Sequence, residues 1–242
     1  MFQNHKTLAY CSLVFLFILG IFSIVTYRER MLFLDPAWVS FNIINFQTFV
    51  ISEFRFSALF TQIVPYVATL IGLPIKVILI LYSFSFYAFF LTVALLLTFK
   101  YKQYGLTTLL VLYFVVFVSD VYFWPNNEVH QGVVWLLLFL GMFVAKQKFS
   151  FFDHLLLVAC LCLGLFSHLI ACMPLLFLWF YLRFDKSFLL SKSKMYLWYT
   201  LLIFILIYFR YSLSSAGWYD AGKLETVKHI AISDVFKVYQ SG

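Results

Sequence analysis

Long hydrophobic runs dominate this chain, and short clusters of charge punctuate them. Continuous apolar stretches cover residues 7–27, 77–99, 106–119, 129–145 and 195–212. Charged or turn-forming residues bound each of them. The runs are unbroken rather than alternating, which predicts helices and not the two-residue period of β-barrel strands. Their lengths suit a helical crossing of a bilayer, which needs roughly 20 apolar residues. Residues 155–182 are too many for one crossing. Ser167 and His168 interrupt that stretch and Pro174 follows, so it predicts two short helices joined by a tight turn. Residues 56–72 carry Ser57, Thr61, Gln62, Pro65 and Thr69. This segment reads either as a weak span or as an amphipathic helix lying along the interface.

Composition places these helices in a membrane. Hydrophobic residues make up 64% of the chain, charged residues 11%, and mean hydropathy is +0.96. A soluble domain averages about 45–50% apolar and about 25% charged, and its surface cannot absorb such an excess. The expected fold is therefore all-α: a single polytopic transmembrane helix bundle over residues 1–242. The abundant Phe suits a lipid-facing surface, and Tyr and Trp suit the two interfaces. The four cysteines, Cys11, Cys160, Cys162 and Cys172, sit inside apolar runs and read as small buried or lipid-facing residues. Lys6 precedes an apolar run too long for a cleaved leader, so a retained signal anchor is expected.

The formal charge of +7 reflects orientation rather than nucleic acid, since no basic stripe with interleaved stacking aromatics is present. With the N-terminus in the cytoplasm and residues 56–72 left out of the spans, about seven crossings remain. Nine bases (Lys6, Lys100, Lys102, Lys146, Lys148, Arg183, Lys186, Lys192 and Lys194) then share the cytoplasmic side with only Asp153 and Asp185. The opposite side is neutral. This is the positive-inside pattern. A rival topology makes residues 56–72 an eighth span and puts the N-terminus outside, keeping the same three lysine loops inside. The preferred arrangement implies the cell (inner) membrane.

In that arrangement the outer face holds a loop at 28–76 with interfacial helices, the segment 120–127, the turn at Ser167 and His168, and the segment 213–242. Most of the acids lie there. An ionisable group next to hydrocarbon is costly and points to function. Asp35 lies in the apolar context from Met31 to Trp38. Asp120, Glu128 and His130 cluster around one short loop, and His168 sits at a helix turn. Asp220, Glu225 and Asp234 read as loop acids meeting water, and His5, His154 and His229 as solvated or interfacial.

The layout resembles the GT-C superfamily of membrane glycosyltransferases. That family has seven N-terminal spans and a first outer loop of interfacial helices with an acid soon after the first span. A second acidic site sits in the next outer loop, and a long outer segment follows the seventh span. Asp35 matches the first acid, and Asp120 or Glu128 the second. Asp35 is followed by Pro36, where several branches carry a paired acid. The resemblance implies sugar transfer from a polyprenyl-phosphate donor at the outer face. Asp35 would be the catalytic general base. Arg55 would bind the departing phosphate, with Lys76 and Arg28 as lesser candidates. Asp120, Glu128, His130 and His168 would bind substrate. It implies no cofactor except a divalent cation in branches that use one. Family members usually continue into further spans, so the chain to Gly242 would be an N-terminal portion. Two other classes compete. A transporter or flippase component predicts broken or charged spans near the midplane. A non-catalytic membrane scaffold predicts that changes at Asp35 and Arg55 leave glycoconjugates untouched.

Overall fold

The computed structural model describes residues 2–116, 122–124, 127–184, 186–217, 220–222 and 225–226. Among these there is no strand. The helices are α1 (Phe2–Val25), α2 (Tyr27–Met31), α3 (Leu34–Phe46), α4 (Leu59–Leu70), α5 (Ile75–Leu95), α6 (Tyr104–Val116), α7 (Glu128–Ala145), α8 (Phe151–Leu165), α9 (Cys172–Tyr181) and α10 (Lys186–Ala216). A π-turn at Leu96–Lys100 ends α5, and 3₁₀ turns flank α9 at Leu169–Ala171 and Leu182–Phe184. Lys192 breaks the regular geometry of α10.

Four helices are long and apolar enough to cross a membrane: His5–Val25, Ile75–Lys100, Glu128–Ala145 and Lys192–Ser215. The other apolar helices are shorter than the expected spans. The 15 residues of α8 and the 10 of α9 rise about 22 Å and about 15 Å at 1.5 Å per residue, against roughly 30 Å of hydrocarbon. The cause is visible in the sequence: the turn at Ser167 and His168 divides one long apolar run. The 12 residues of α4 rise only about 18 Å.

The large helices alternate in direction. Ser83 of α5 donates to the Ser23 carbonyl near the end of α1, while Tyr10 stacks on Phe99 at the other end. Thr98 and Thr107 pair at 2.9 Å, and Phe90 meets Phe114, which aligns α5 with α6. The α7 helix is the hub. Phe139 and Phe143 pack on Trp179 of α9 and Tyr199 of α10. On another face Gly132 lies against Ser167 and the Gly164 carbonyl, so closely that a Cβ there would collide with both. Small residues let membrane helices approach in this way. The approach sets the start of α7 beside the end of α8.

The segment between α1 and α5 folds back over this end of the bundle. Val39 and Ile43 of α3 join Met31, Leu79 and Tyr82 in a second, smaller core. The rest of α3 leaves Trp38, Phe41 and Phe46 exposed. Arg30 is fully buried. It donates to the Ser83 carbonyl and hydroxyl at 2.7 and 2.5 Å and to the Tyr122 carbonyl at 2.7 Å, and it lies over the rings of Tyr87 and Tyr122. Burial pushes this guanidinium down to about 10, so it remains a cation at neutral pH. All four cysteines are free thiols.

Candidate functional site

The folded-back segment encloses a cavity of about 530 Å³ at the end of the bundle where α7 begins. Asp35, Trp38, Glu53, Arg55, Glu128 and His168 line it, with Ser52, Gln62, Trp124 and Asn127 among the remaining wall. Four candidates from distant parts of the sequence, Asp35, Arg55, Glu128 and His168, thus meet in one hollow.

Local structure places each of them. Asp35 and Pro36 open α3. Proline is tolerated in the first turn because its missing N–H has no helical partner there, and a carboxylate at that end faces the positive pole of the helix dipole. Asp35 makes no hydrogen bond or ion pair among the described residues, and it is exposed to the cavity. Glu128 opens α7, where the side chain of Asn127 caps the helix by accepting from the Val129 amide at 3.0 Å. His168 caps the 3₁₀ turn after α8. Its Nδ1 accepts from the Ile170 amide at 3.2 Å, which leaves a neutral ring's proton on Nε2.

Arg55 ends a tight turn over residues 52–55, closed by its amide on the Ser52 carbonyl at 3.0 Å. Glu53 and Phe54 at the centre have φ of 51° and 59°. Such left-handed backbone at residues with side chains costs about 1–3 kcal/mol each and persists only where the surroundings hold it. Two devices hold it here. The buried Gln62 side chain clamps the Val50 backbone, accepting from its amide at 2.8 Å and donating to its carbonyl at 2.9 Å. Arg55 itself binds Asp220 through Nη2 at 2.8 Å and approaches Glu128 at 3.6 Å. The Glu53 carboxylate lies directly against Gly217, where a Cβ would collide with it.

Its sequence context makes Asp220 a solvated loop acid. The structure instead buries it, 7% exposed, between Arg55 and a fully buried Arg210, with Arg210 Nη2 at 3.1 Å and the Ser214 hydroxyl at 3.4 Å. Desolvation works to raise its pKa, but the charges of Arg55 and Arg210 outweigh it and hold the carboxyl below its usual value of 3.8. A signal for this residue was present: Arg210 is a lone cation inside the apolar run 195–212, and such a charge needs a partner. Glu53, Gln62, Trp38 and Trp124 carried no comparable signal.

The remaining candidates are placed differently. His130 is buried, 2.5 Å from the Tyr113 hydroxyl through Nδ1, and does not line the cavity. Two residues along a helix are 200° apart, so with Glu128 facing the hollow His130 turns away. Asp120 lies outside the described residues. Arg28 and Lys76 are exposed and away from the lining, and Arg28 donates to the Tyr27 hydroxyl. His154, expected to be solvated or interfacial, is half-buried near the start of α8 with its Nδ1 3.0 Å from the Tyr199 hydroxyl. Among the described residues no three His, Cys, Asp or Glu side chains come close enough together to hold a metal ion.

The described residues therefore define a helical fold without strands, with four helices apolar enough for a membrane and a cavity at one end lined by charged and aromatic side chains. No protein-family model, curated protein or solved structure matches the chain.

Proposed function

We propose that this chain is an integral membrane protein with seven crossings and a cytoplasmic N-terminus, and that it transfers a sugar from a polyprenyl-phosphate donor at the outer face of the cell membrane. The observation that carries the reading is the convergence of Asp35, Arg55, Glu128 and His168 on one cavity beside the exposed apolar face of α3. On this reading α8 and α9 complete their crossings with their flanking turns, across a locally thinned bilayer.

The chemistry follows from which groups are already engaged. A general base needs an available lone pair within reach of the acceptor hydroxyl. Glu128 and Asp220 are ion-paired with Arg55, whereas Asp35 is open to the cavity. Asp35 takes the acceptor proton as the hydroxyl attacks the anomeric carbon. The bond from that carbon to the phosphate oxygen breaks, and the polyprenyl phosphate leaves with its electron pair. Arg55 faces the growing charge on the phosphate, where a guanidinium offers two parallel donors. His168 and Glu128 orient the sugar or the acceptor. Trp38 and Trp124 supply apolar surfaces on which a sugar ring or the first prenyl unit rests.

The test is transfer by the full chain in proteoliposomes carrying radiolabelled polyprenyl-phosphate hexoses, scored by release of polyprenyl phosphate. Wild-type protein should release it, and Asp35→Asn should lower the rate by about 10²–10⁴-fold, the usual worth of a positioned base. Equal rates for the two proteins would refute the role of Asp35. No release from any hexose donor would refute the reaction.

A further inference from the structure

The ion pairs that end on Arg55 start outside the cavity. Arg210 is fully buried on α10, and its Nη2 lies 3.1 Å from one oxygen of Asp220. The other oxygen of Asp220 holds Arg55 Nη2 at 2.8 Å. The Ser214 hydroxyl, on the helical turn after Arg210, adds a weak contact at 3.4 Å. The carboxylate is thus fixed from behind by a rigid helix and presents its front to a strained turn 165 residues away in sequence. We infer that Asp220 is a positioning residue for Arg55: it holds the guanidinium at the cavity wall in the orientation that receives a substrate phosphate. The inference rests on the proposed role of Arg55 in phosphate binding.

Three observations support it. An arginine side chain has many rotamers in water, so an orientation useful for binding has to be imposed. Here it is imposed by a charge-assisted hydrogen bond, which is shorter and stronger than a neutral one. Next, among the described residues Glu128 also lies beside Arg55, but at 3.6 Å, beyond hydrogen-bond distance, so it holds the guanidinium less closely than Asp220 does. Finally, Asp220 is not part of the cavity lining, while Arg55 is. Its direct contact with the lining is the 2.8 Å pair with Arg55, while its charge also acts on His168.

A double-mutant cycle on binding separates positioning from simple stabilisation. The probe is farnesyl phosphate, a short polyprenyl phosphate, titrated into the full chain in nanodiscs, with the uncharged alcohol farnesol as control. Arg55→Ala and Asp220→Asn should each weaken farnesyl phosphate about tenfold, the equivalent of about 1.4 kcal/mol, and leave farnesol unchanged. Asp220→Glu, which keeps the charge but displaces it by one methylene, should weaken it severalfold and serves in place of Asp220→Asn if that variant does not fold. In the Arg55→Ala background neither change at 220 should have a further effect. Loss of affinity in Arg55→Ala with none in the Asp220 variants would overturn the positioning role and leave the phosphate reading intact. Equal losses for farnesol, or full additivity with Arg55→Ala, would likewise overturn it. Unaltered binding in Arg55→Ala, or no binding by the wild type, would instead remove the phosphate reading itself and this inference with it.

Discussion

The two ends of the helix bundle treat charge in opposite ways. At the lysine-rich end, charged groups settle with near neighbours or with helix termini. Lys192 donates to the carbonyls of Phe143 and Val144 at 2.7 and 2.8 Å, which caps the C-terminus of α7 with a cation. Lys146 pairs with Asp153, seven residues on, and Asp153 completes a capping box with Ser150 at the start of α8. At the cavity end the contacts join remote segments: Arg55 to Asp220, Arg55 to Glu128, Arg30 to Ser83 and Tyr122. Asp35, also at this end, stays open to the cavity. One end uses charge to finish helices, and the other uses it to hold a hollow open between segments that have no backbone pairing of their own.

The contrast can be broken by substitution. The largest effect is expected at the cavity end on activity alone. Asp35→Asn should lower transfer by about 10²–10⁴-fold with an unchanged melting temperature, whereas Lys148→Gln at the other end should change neither. A fall in melting temperature for Asp35→Asn would mean that the residue holds structure rather than reacts. Arg210→Ala comes next. It strands Asp220 without its rear partner, and breaking a buried pair costs about 3–5 kcal/mol, readable as thermal destabilisation in detergent. A wild-type melting curve would show that the buried pair does not support the fold.

Gly132→Leu should follow, because the side chain meets Ser167 and the Gly164 backbone. Overpacking of this kind costs about 1–3 kcal/mol, and the distortion reaches the cavity because it separates α7 from the turn that carries His168. Lys192→Met should cost at most about 2 kcal/mol, the upper range for a cation at a helix C-terminus, and should leave farnesyl phosphate binding intact. Weakened binding would show that the two ends are coupled. The smallest effect is on acid stability. The Asp220 carboxyl is depressed in the folded protein, so its contribution is full above its unfolded value near 3.8 and is lost as pH falls through the lower folded value. Asp220→Asn should remove that portion of the pH dependence in acid unfolding curves, and an unchanged curve would contradict it.

Much of this arrangement was legible in the sequence, for physical reasons that differ by element. Unbroken apolar runs announced α1, α5, α7 and the later part of α10. Ser167, His168 and Pro174 announced the break between α8 and α9. The separation of lysines from carboxylates put Asp35, Arg55, Glu128 and His168 on one expected face, and in the structure these four line one cavity. Other features left weak traces. The short reach of α8 and α9 depends on where the helices stop, which hydropathy alone does not set. His130 looked equivalent to Glu128 until helical phase separated them by 200°. The clamp of Gln62 on Val50 and the burial of Asp220 arise from tertiary contacts between segments with no periodic pattern. Only Arg210, stranded in an apolar run, hinted at the latter.

The central claim is that the cavity faces the outer side of the membrane, opposite the lysine loops. It is tested most directly by single-cysteine labelling in a background lacking Cys11, Cys160, Cys162 and Cys172, with a membrane-impermeant maleimide applied to intact cells. A cysteine at position 35 is expected to label from outside, and one at position 148 only after permeabilisation. Labelling of position 35 solely from the cytoplasmic side, or of both positions from the same side, would contradict the account.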